Sequence, residues 1–196
     1  MKPIKRSVAV VVRKAGAFLI VRRPDDPEDL LAGVWGLPAV TLRDGEDEQA
    51  AVVRAGRVKL GVELAVGARL GEKTADRGGY LLRLADYEAT VLHGVPAVPQ
   101  PDLSMTQYTA CRYTTDPATL AEAAARGSLC AQVFLEDNSN RRLAAADRYA
   151  ADDRPAADDR FAAGDGLAAG DRPAAGGGAA GERPDAEYRT AAEDGA

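Results

Sequence analysis

Apolar runs separated by turn residues fill the first 140 positions and predict strands that form a sheet. Residues 8–12 and 17–21 are continuous apolar runs on either side of a short turn with a glycine, which predicts a hairpin of two buried strands. Later segments rich in β-branched, leucine or aromatic residues predict further strands, at 39–42, 64–70, 80–84, 87–92 and 107–113.

A helix is predicted between the strand segments 39–42 and 64–70. Asp47 can accept hydrogen bonds from the first N–H groups of a helix. Apolar residues then recur at helical spacing as far as about Leu60. Gly61 suits the position after a helix end, where a positive φ is needed.

A second helix is predicted near the end of this region. Asp116 followed by Pro117 is typical of a helix start, and the helix is expected over 118–126 with Gly127 closing it. The apolar segment 129–135 is expected to complete the domain. The order β, β, β, α, several β, α predicts an α/β (α+β) fold with a mixed sheet flanked by helices.

The composition changes at about residue 141. Residues 141–196 are mostly Ala, Asp, Gly, Arg and Pro, in an imperfect six-residue repeat such as Arg-Pro-Ala-Ala-Asp-Asp. Such a segment holds too few bulky apolar residues to offset the entropy of ordering. We therefore expect a domain at 1–140 and a disordered tail at 141–196.

Charge and hydropathy argue against two classes of protein, nucleic-acid binders and membrane proteins. The net charge is −5, and the tail contains eight Arg against twelve Asp and Glu, so neither part has the basic surplus of a dedicated nucleic-acid binder. No apolar stretch approaches the roughly 20 residues of a membrane span, and no signal peptide is recognisable. Two cysteines without metal-ligand spacing suit a reducing compartment. The expectation is a cytoplasmic protein that does not enter a membrane.

The segment from Trp35 to Val62 resembles the signature of the Nudix hydrolases, G-x5-E-x7-R-E-U-x-E-E-x-G-U, where U is a bulky apolar residue. Counted without a gap, the matching residues are Trp35-Gly36-Leu37-Pro38 in the lead-in, then Gly45-Glu46, Ala51, Arg54 and Gly61-Val62. The resemblance implies the Nudix sheet-and-helix fold and a pyrophosphohydrolase acting on a nucleoside diphosphate-type ligand with Mg²⁺ or Mn²⁺. It makes Glu46 the candidate catalytic and metal-binding residue.

The sequence departs from that signature at the metal-binding positions. Ala55, Val58 and Lys59 stand where the family has three glutamates. Spacings of three and four place them on one helix face, where an active member presents oxygen ligands to the metal. Standard metal-dependent hydrolysis is therefore doubtful, Glu46 is left alone from the set, and an inactive form would need no cofactor.

Two interpretations of the basic residues on this helix stay open. Arg54, Arg57 and Lys59 could hold a phosphate directly in place of the metal, or could form a solvated basic face, which we favour. Arg22, at the end of the second strand, and Trp35 are further candidates for contact with a ligand.

Carboxylates outside the signature could rebuild a metal site; the candidates are Glu63, Glu72, Asp76 and Glu88.

Other functions also stay open. Residues 30–38 resemble the C-terminal domain of MutY-type adenine glycosylases, a Nudix relative that reads damaged guanine, which implies a non-catalytic nucleotide or oxidised-base binder. An interaction domain with an acidic tail is a third possibility.

Overall fold

The structure, a computed structural model, describes residues 1–98 and 107–152 of the 196-residue chain. Within this part, seven strands form one mixed sheet. The strands are β1 Ile4–Lys14, β2 Ala17–Arg22, β3 Trp35–Gly36, β4 Ala39–Thr41, β5 Glu63–Asp76, β6 Leu81–His93 and β7 Ala110–Thr114. The helices are α1 Glu48–Ala55, α2 Ala121–Ala125 and α3 Leu129–Asp152.

Strand β1 organises the sheet. It pairs in parallel with β6, and its other edge is shared by two antiparallel partners, β4 beside its first half and β2 beside its end. Beyond these, β3 and β7 pair with β2, and β5 pairs with β6. The predicted mixed sheet flanked by helices is confirmed.

Alternate residues of β1 face two separate apolar layers. Val8, Val10 and Val12 pack with α1 on one face, and Ala9 and Val11 pack beneath α2 and α3 on the other. All five side chains are fully buried. A strand covered on both faces needs a continuous apolar run, which is why this segment of the sequence does not alternate.

Several strands extend beyond their predicted limits. The predicted strand 64–70 lies in the first half of β5, and the predicted strands 80–84 and 87–92 form one strand, β6. The polar last residues of β5, 71–76, pair through the backbone with the first residues of β6, and hydropathy does not detect this pairing. The predicted strand 107–113 is shorter at its start, since β7 begins at Ala110.

Helix α1 begins as predicted, with the Asp47 side chain accepting a hydrogen bond from Ala50 N at 2.9 Å. It does not continue regularly to Leu60, because Gly56–Leu60 is a single π-helical turn. Gly61 has φ +67°, as expected for the residue after a helix end.

Gly56 is required where it stands, because the start of β5 lies against the helix backbone. A Cβ there would lie 2.6 Å from Leu64 Cδ1 and 3.0 Å from the Val62 carbonyl oxygen. We expect Gly56→Ala to lower the free energy of unfolding by about 1–3 kcal/mol, because such overpacking outweighs the better helix propensity of alanine. Urea unfolding measures this, and Gly79→Ala, where a Cβ would meet nothing within 4 Å, is the control. Equal stabilities of the two variants would contradict the prediction.

The C-terminal helices differ from the prediction. The predicted helix 118–126 starts with a 3-10 turn, Pro117–Leu120, before α2. The predicted apolar segment 129–135 is the buried beginning of α3, which continues to Asp152 and so spans the predicted boundary at 140. Residues 153–196, where most of the predicted tail lies, are outside the described part. No helix in the described part is long and apolar enough to cross a membrane.

Candidate functional site

Glu46 and Arg54 form an ion pair at the entrance to α1. Arg54 Nε donates to Glu46 Oε1 and its Nη2 donates to Oε2, both at 2.7 Å. Arg54 Nη2 also donates to the Thr41 carbonyl oxygen at 2.8 Å, and the Arg43 N–H donates to Glu46 Oε2 at 2.8 Å. These contacts hold the turn 43–46 against the end of β4, the strand that precedes it.

This pairing fixes the protonation state of Glu46. The hydrogen bond from Arg54 lowers the pKa of the Glu46 carboxyl to about 2, against the opposing effect of burial. The carboxylate is therefore ionised throughout the physiological range, and Arg54 is committed to it.

The three positions that follow Arg54 in the signature present no carboxylate. Ala55 and Lys59 are buried, with exposed fractions of 0% and 1%, and Val58 packs against the same apolar layer. The solvated basic face that we favoured is therefore wrong for Lys59, and Arg54 is also largely buried in its ion pair. Lys59 follows Ala55 by four residues and so continues the buried face of α1. Only Arg57 is exposed, 3.7 Å from Glu63.

Lys59 lines a pocket whose other described lining comes mainly from β1, β4 and β6. Its Nζ lies 5.4 Å from the ring centroid of Tyr108, a cation–π contact. Tyr108 is buried, which raises its pKa to about 12, and its hydroxyl accepts a hydrogen bond from Ala39 N at 3.1 Å. The volume of the pocket is about 470 Å³. Its described lining is Lys5, Ser7, Arg23, Ala39, Val40, Thr41, Lys59, Tyr80, Leu82, Leu84 and Tyr108.

The charges on this described lining are all positive. Lys5, Arg23 and Lys59 contribute cations, and no Asp or Glu is among the described lining residues. Lys5 lies over the Tyr80 ring, 4.2 Å from its centroid, and Arg23 is paired with Asp29. We call this set of lining residues the cationic pocket. Such a surface favours an anion.

Hydroxyl groups add neutral hydrogen-bonding capacity to the cationic pocket. Ser7 on β1 and Thr41 on β4 lie opposite each other in the register, with their hydroxyl oxygens 3.3 Å apart. Hydropathy predicted the first strand only from Val8, so Lys5 and Ser7 were missed. Side chains two residues apart in a strand lie on the same face, so a strand predicted from Lys5 onwards would have placed Lys5 and Ser7 side by side.

Arg22 and Trp35, the remaining predicted ligand contacts, lie elsewhere. They face each other across β2 and β3, and neither lines the cationic pocket. Arg22 Nε donates to the Gly33 carbonyl oxygen at 3.1 Å, and the Arg112 guanidinium lies over the Trp35 ring, 4.6 Å from its centroid. Of the predicted site residues, only Lys59 lies in the cationic pocket.

A second acidic residue, Glu48, lies at the centre of an ion-pair network that the sequence did not predict. It accepts hydrogen bonds from Tyr87 Oη at 2.7 Å and Arg6 Nη2 at 3.0 Å, and Arg69 Nε lies at 3.4 Å. Burial alone would raise the pKa of Glu48, but these donors lower it. The network joins α1 to β1, β5 and β6.

The four carboxylates outside the signature do not converge on one point. Each pairs with a cation: Glu63 with Arg57, Glu72 with Arg69 and Arg83, Asp76 with Lys2, and Glu88 with Arg13 and Arg141. Within the described residues, no group of three or more His, Cys, Asp or Glu side chains could hold a metal ion.

The chain is similar in sequence to two curated nucleotide hydrolases. It is 38% identical over 92 residues to a putative 8-oxo-dGTP diphosphatase 2 of Mycobacterium tuberculosis, covering 45% of this chain and 62% of that protein. It is 26% identical over 87 residues to the CTP pyrophosphohydrolase of Escherichia coli, covering 44% and 63%. The chain thus spans less than two thirds of the length of these relatives. No family model matches it.

Solved structures share the fold. The Escherichia coli ORF135 protein superposes with a TM-score of 0.57 at 20% identity, covering 71% of this chain and 94% of that one. The MutT protein of Methanosarcina mazei superposes with a TM-score of 0.53 at 19% identity, covering 71% and 96%. At these identities the likeness establishes the fold alone.

Proposed function

Because this chain has the fold of the Nudix hydrolases and resembles them in sequence, we propose that it binds a nucleoside diphosphate-type ligand in the cationic pocket without a divalent metal. Lys59 carries the proposal. It supplies a positive charge inside the pocket at a position where the family signature has a metal-binding glutamate.

The residues within 1–98 and 107–152 do not fit Mg²⁺ or Mn²⁺. Hard cations need several oxygen ligands, and Ala55 and Val58 supply none. The ammonium of Lys59 repels a cation. The oxygens of Glu46 are already taken by Arg54 and the Arg43 N–H. We therefore derive no catalytic step through a metal.

Phosphate recognition in the cationic pocket rests on charge and on hydrogen bonding. Ammonium and guanidinium groups make strong, charge-assisted hydrogen bonds to phosphate oxygens. The interaction of Lys59 with a phosphate is enhanced by its burial, because electrostatic attraction is screened less there than at the surface. Ser7 and Thr41 offer hydroxyls, and the Tyr80 ring offers an apolar surface to a base.

Among the residues that the structure describes, hydrolysis has no evident base. A general base works best with a pKa near the working pH, whereas the pKa of Glu46 is about 2 and its carboxylate is held by Arg54. We propose that the ligand is bound and not turned over at the rate of a metal-dependent relative.

The test is calorimetric titration of the full chain with 8-oxo-dGTP, CTP and GDP, in EDTA and again in excess Mg²⁺, with the products analysed afterwards. We expect binding of at least one nucleotide in EDTA, weakened by salt, with the nucleotide recovered intact. Lys59→Met keeps the length of the side chain and removes its charge. It is expected to weaken binding about tenfold or more, as a charged hydrogen bond contributes about 1.5–3 kcal/mol.

Lys2→Met is the matched control, because Lys2 pairs with Asp76 at the surface and does not line the cationic pocket. It should leave the affinity unchanged. Binding that requires Mg²⁺ and leads to turnover would overturn the proposal, and so would equal affinities of Lys59→Met and the wild-type protein. Thermal unfolding of each variant shows whether a loss of binding reflects a loss of folding.

A further inference from the structure

Asp86 is a carboxylic acid at the centre of an apolar layer. It lies on β6, opposite Ala9 of β1 and Gly71 of β5, and its side chain is fully buried. Leu84, two residues earlier on β6, belongs to the apolar layer beneath α3. Asp86 therefore shares the face of the sheet that α3 covers.

Neither oxygen of this carboxyl group has a hydrogen-bond partner within the described residues. Buried polar side chains are nearly always hydrogen-bonded, so the exception calls for an explanation. An ionised carboxylate without a partner in an apolar interior is very costly, whereas the neutral acid costs far less.

The groups that face Asp86 from α3 make the neutral form more favourable. Asp137 adds a second negative charge, and its own carboxylate is paired with Arg141 at 2.7 Å. Burial first, and Asp86 second, raise the pKa of the Cys130 thiol to about 11, so Cys130 stays a neutral thiol and supplies no positive charge. Burial first, and Asp137 second, raise the pKa of Asp86 well above its usual range.

Cations on the neighbouring strands are engaged with other carboxylates. Arg13 at the end of β1 pairs with Glu88 at 2.7 Å, and Lys73 of β5 pairs with Glu136 of α3 at 2.5 Å. Arg141 also reaches Glu88, at 2.9 Å. None of these cations is bonded to Asp86.

We propose that Asp86 carries a proton in the folded protein and that the packing of α3 on the sheet weakens as the pH rises. The fold then contains a pH-sensitive contact beneath α3. Leu84, on the same strand face as Asp86, also lines the cationic pocket, so this contact lies close to the wall of the proposed site.

The direction of the pH dependence follows from proton linkage. The pKa of Asp86 is higher in the folded than in the unfolded chain, where it is near 3.8. The stabilising effect of its proton is complete below pH 3.8 and is lost as the pH rises through the folded-state pKa. In that interval the folding equilibrium constant falls up to tenfold per pH unit through this one group.

The first test compares urea unfolding of the full wild-type chain and Asp86→Asn between pH 5 and 8.5. We expect the folding equilibrium constant of the variant to exceed that of the wild-type protein by a factor that grows with pH. Comparing the two proteins removes the contribution of the other titrating groups, which both share. Asp44→Asn, at an exposed position, should show no such growth.

Two further measurements keep the proposal testable if Asp86→Asn fails to fold. Carboxyl carbon NMR of the wild-type protein should show Asp86 titrating well above pH 4. Amide hydrogen exchange in α3, corrected for the intrinsic pH dependence, should report weaker protection at higher pH. A titration of Asp86 near pH 4, or parallel stability curves for the wild-type protein and Asp86→Asn, would overturn the proposal.

Discussion

Replacing Arg54 with methionine is expected to lower the free energy of unfolding by about 2–3 kcal/mol at pH 7, because a largely buried carboxylate loses its charged partner. The side chains of Arg54 and Glu46 are each only 13% exposed. The variant removes both hydrogen bonds to Glu46 and the bond to the Thr41 carbonyl oxygen. Urea unfolding measures the difference.

This effect should depend on pH in a defined direction. The pKa of Glu46 is lowered from 4.5 to about 2 in the folded protein, mainly by Arg54. Its contribution to stability is therefore complete above pH 4.5 and is lost as the pH falls towards 2. The difference between the wild-type protein and Arg54→Met should shrink across that interval.

Arg57→Met is the matched control on the same helical segment. Arg57 is 63% exposed and lies 3.7 Å from Glu63, so its ion pair is screened by solvent and contributes little. Its removal should change stability by about 0.5 kcal/mol or less. Equal losses for Arg54→Met and Arg57→Met, or a loss for Arg54→Met that does not change with pH, would contradict the structural role assigned to the Glu46–Arg54 pair.

The elements that hydropathy predicted well are those buried on both faces. Val8, Val10 and Val12 are followed by a short turn and a second apolar run, so β1 and β2 were predicted without any tertiary information. The last residues of β5, 71–76, were not predicted, because most of their side chains are polar and backbone pairing with β6 holds them in the strand. The same limit explains why α3 was missed beyond the apolar segment 129–135, as residues 136–146 of the helix are polar or exposed.

Within the candidate site, the sequence predicted mainly residues of the signature itself. The eight-residue spacing of Glu46 and Arg54 identified both residues, yet nothing in the sequence showed that they bind each other. Lys59 was assigned to a solvated face because lysine is rarely buried. Its spacing from Ala51 and Ala55 places it on the buried face of α1 and could have corrected that assignment.

The cationic pocket itself depends on long-range pairing. Lys5 and Thr41 meet there because β4 lies antiparallel to β1, and Tyr80 contributes because β6 lies parallel to β1. Apart from the β1–β2 hairpin, the sequence did not predict which strands are neighbours. A signature can thus identify a helix and its charged residues, but it does not predict the pocket residues that distant strands contribute.

The apolar layer beneath α3 should depend strongly on Phe134. This side chain is 1% exposed and packs against Phe18 of β2, with ring centroids 4.5 Å apart. Truncating a buried phenylalanine removes its apolar contacts and leaves a cavity. We therefore expect Phe134→Ala to lower the free energy of unfolding by about 3–5 kcal/mol, measured by urea unfolding.

The same truncation on the outer side of the helix separates packing from helix propensity. Leu143 is also on α3 but is 65% exposed, so Leu143→Ala removes little packing and should change stability by about 0.5 kcal/mol or less. A large loss for Phe134→Ala with almost none for Leu143→Ala would show that α3 is held by its first turns. Comparable losses for the two variants would mean that α3 around Leu143 also packs against the protein. It would then be wrong that only the part of α3 near Phe134 and Asp86 holds the helix on the sheet.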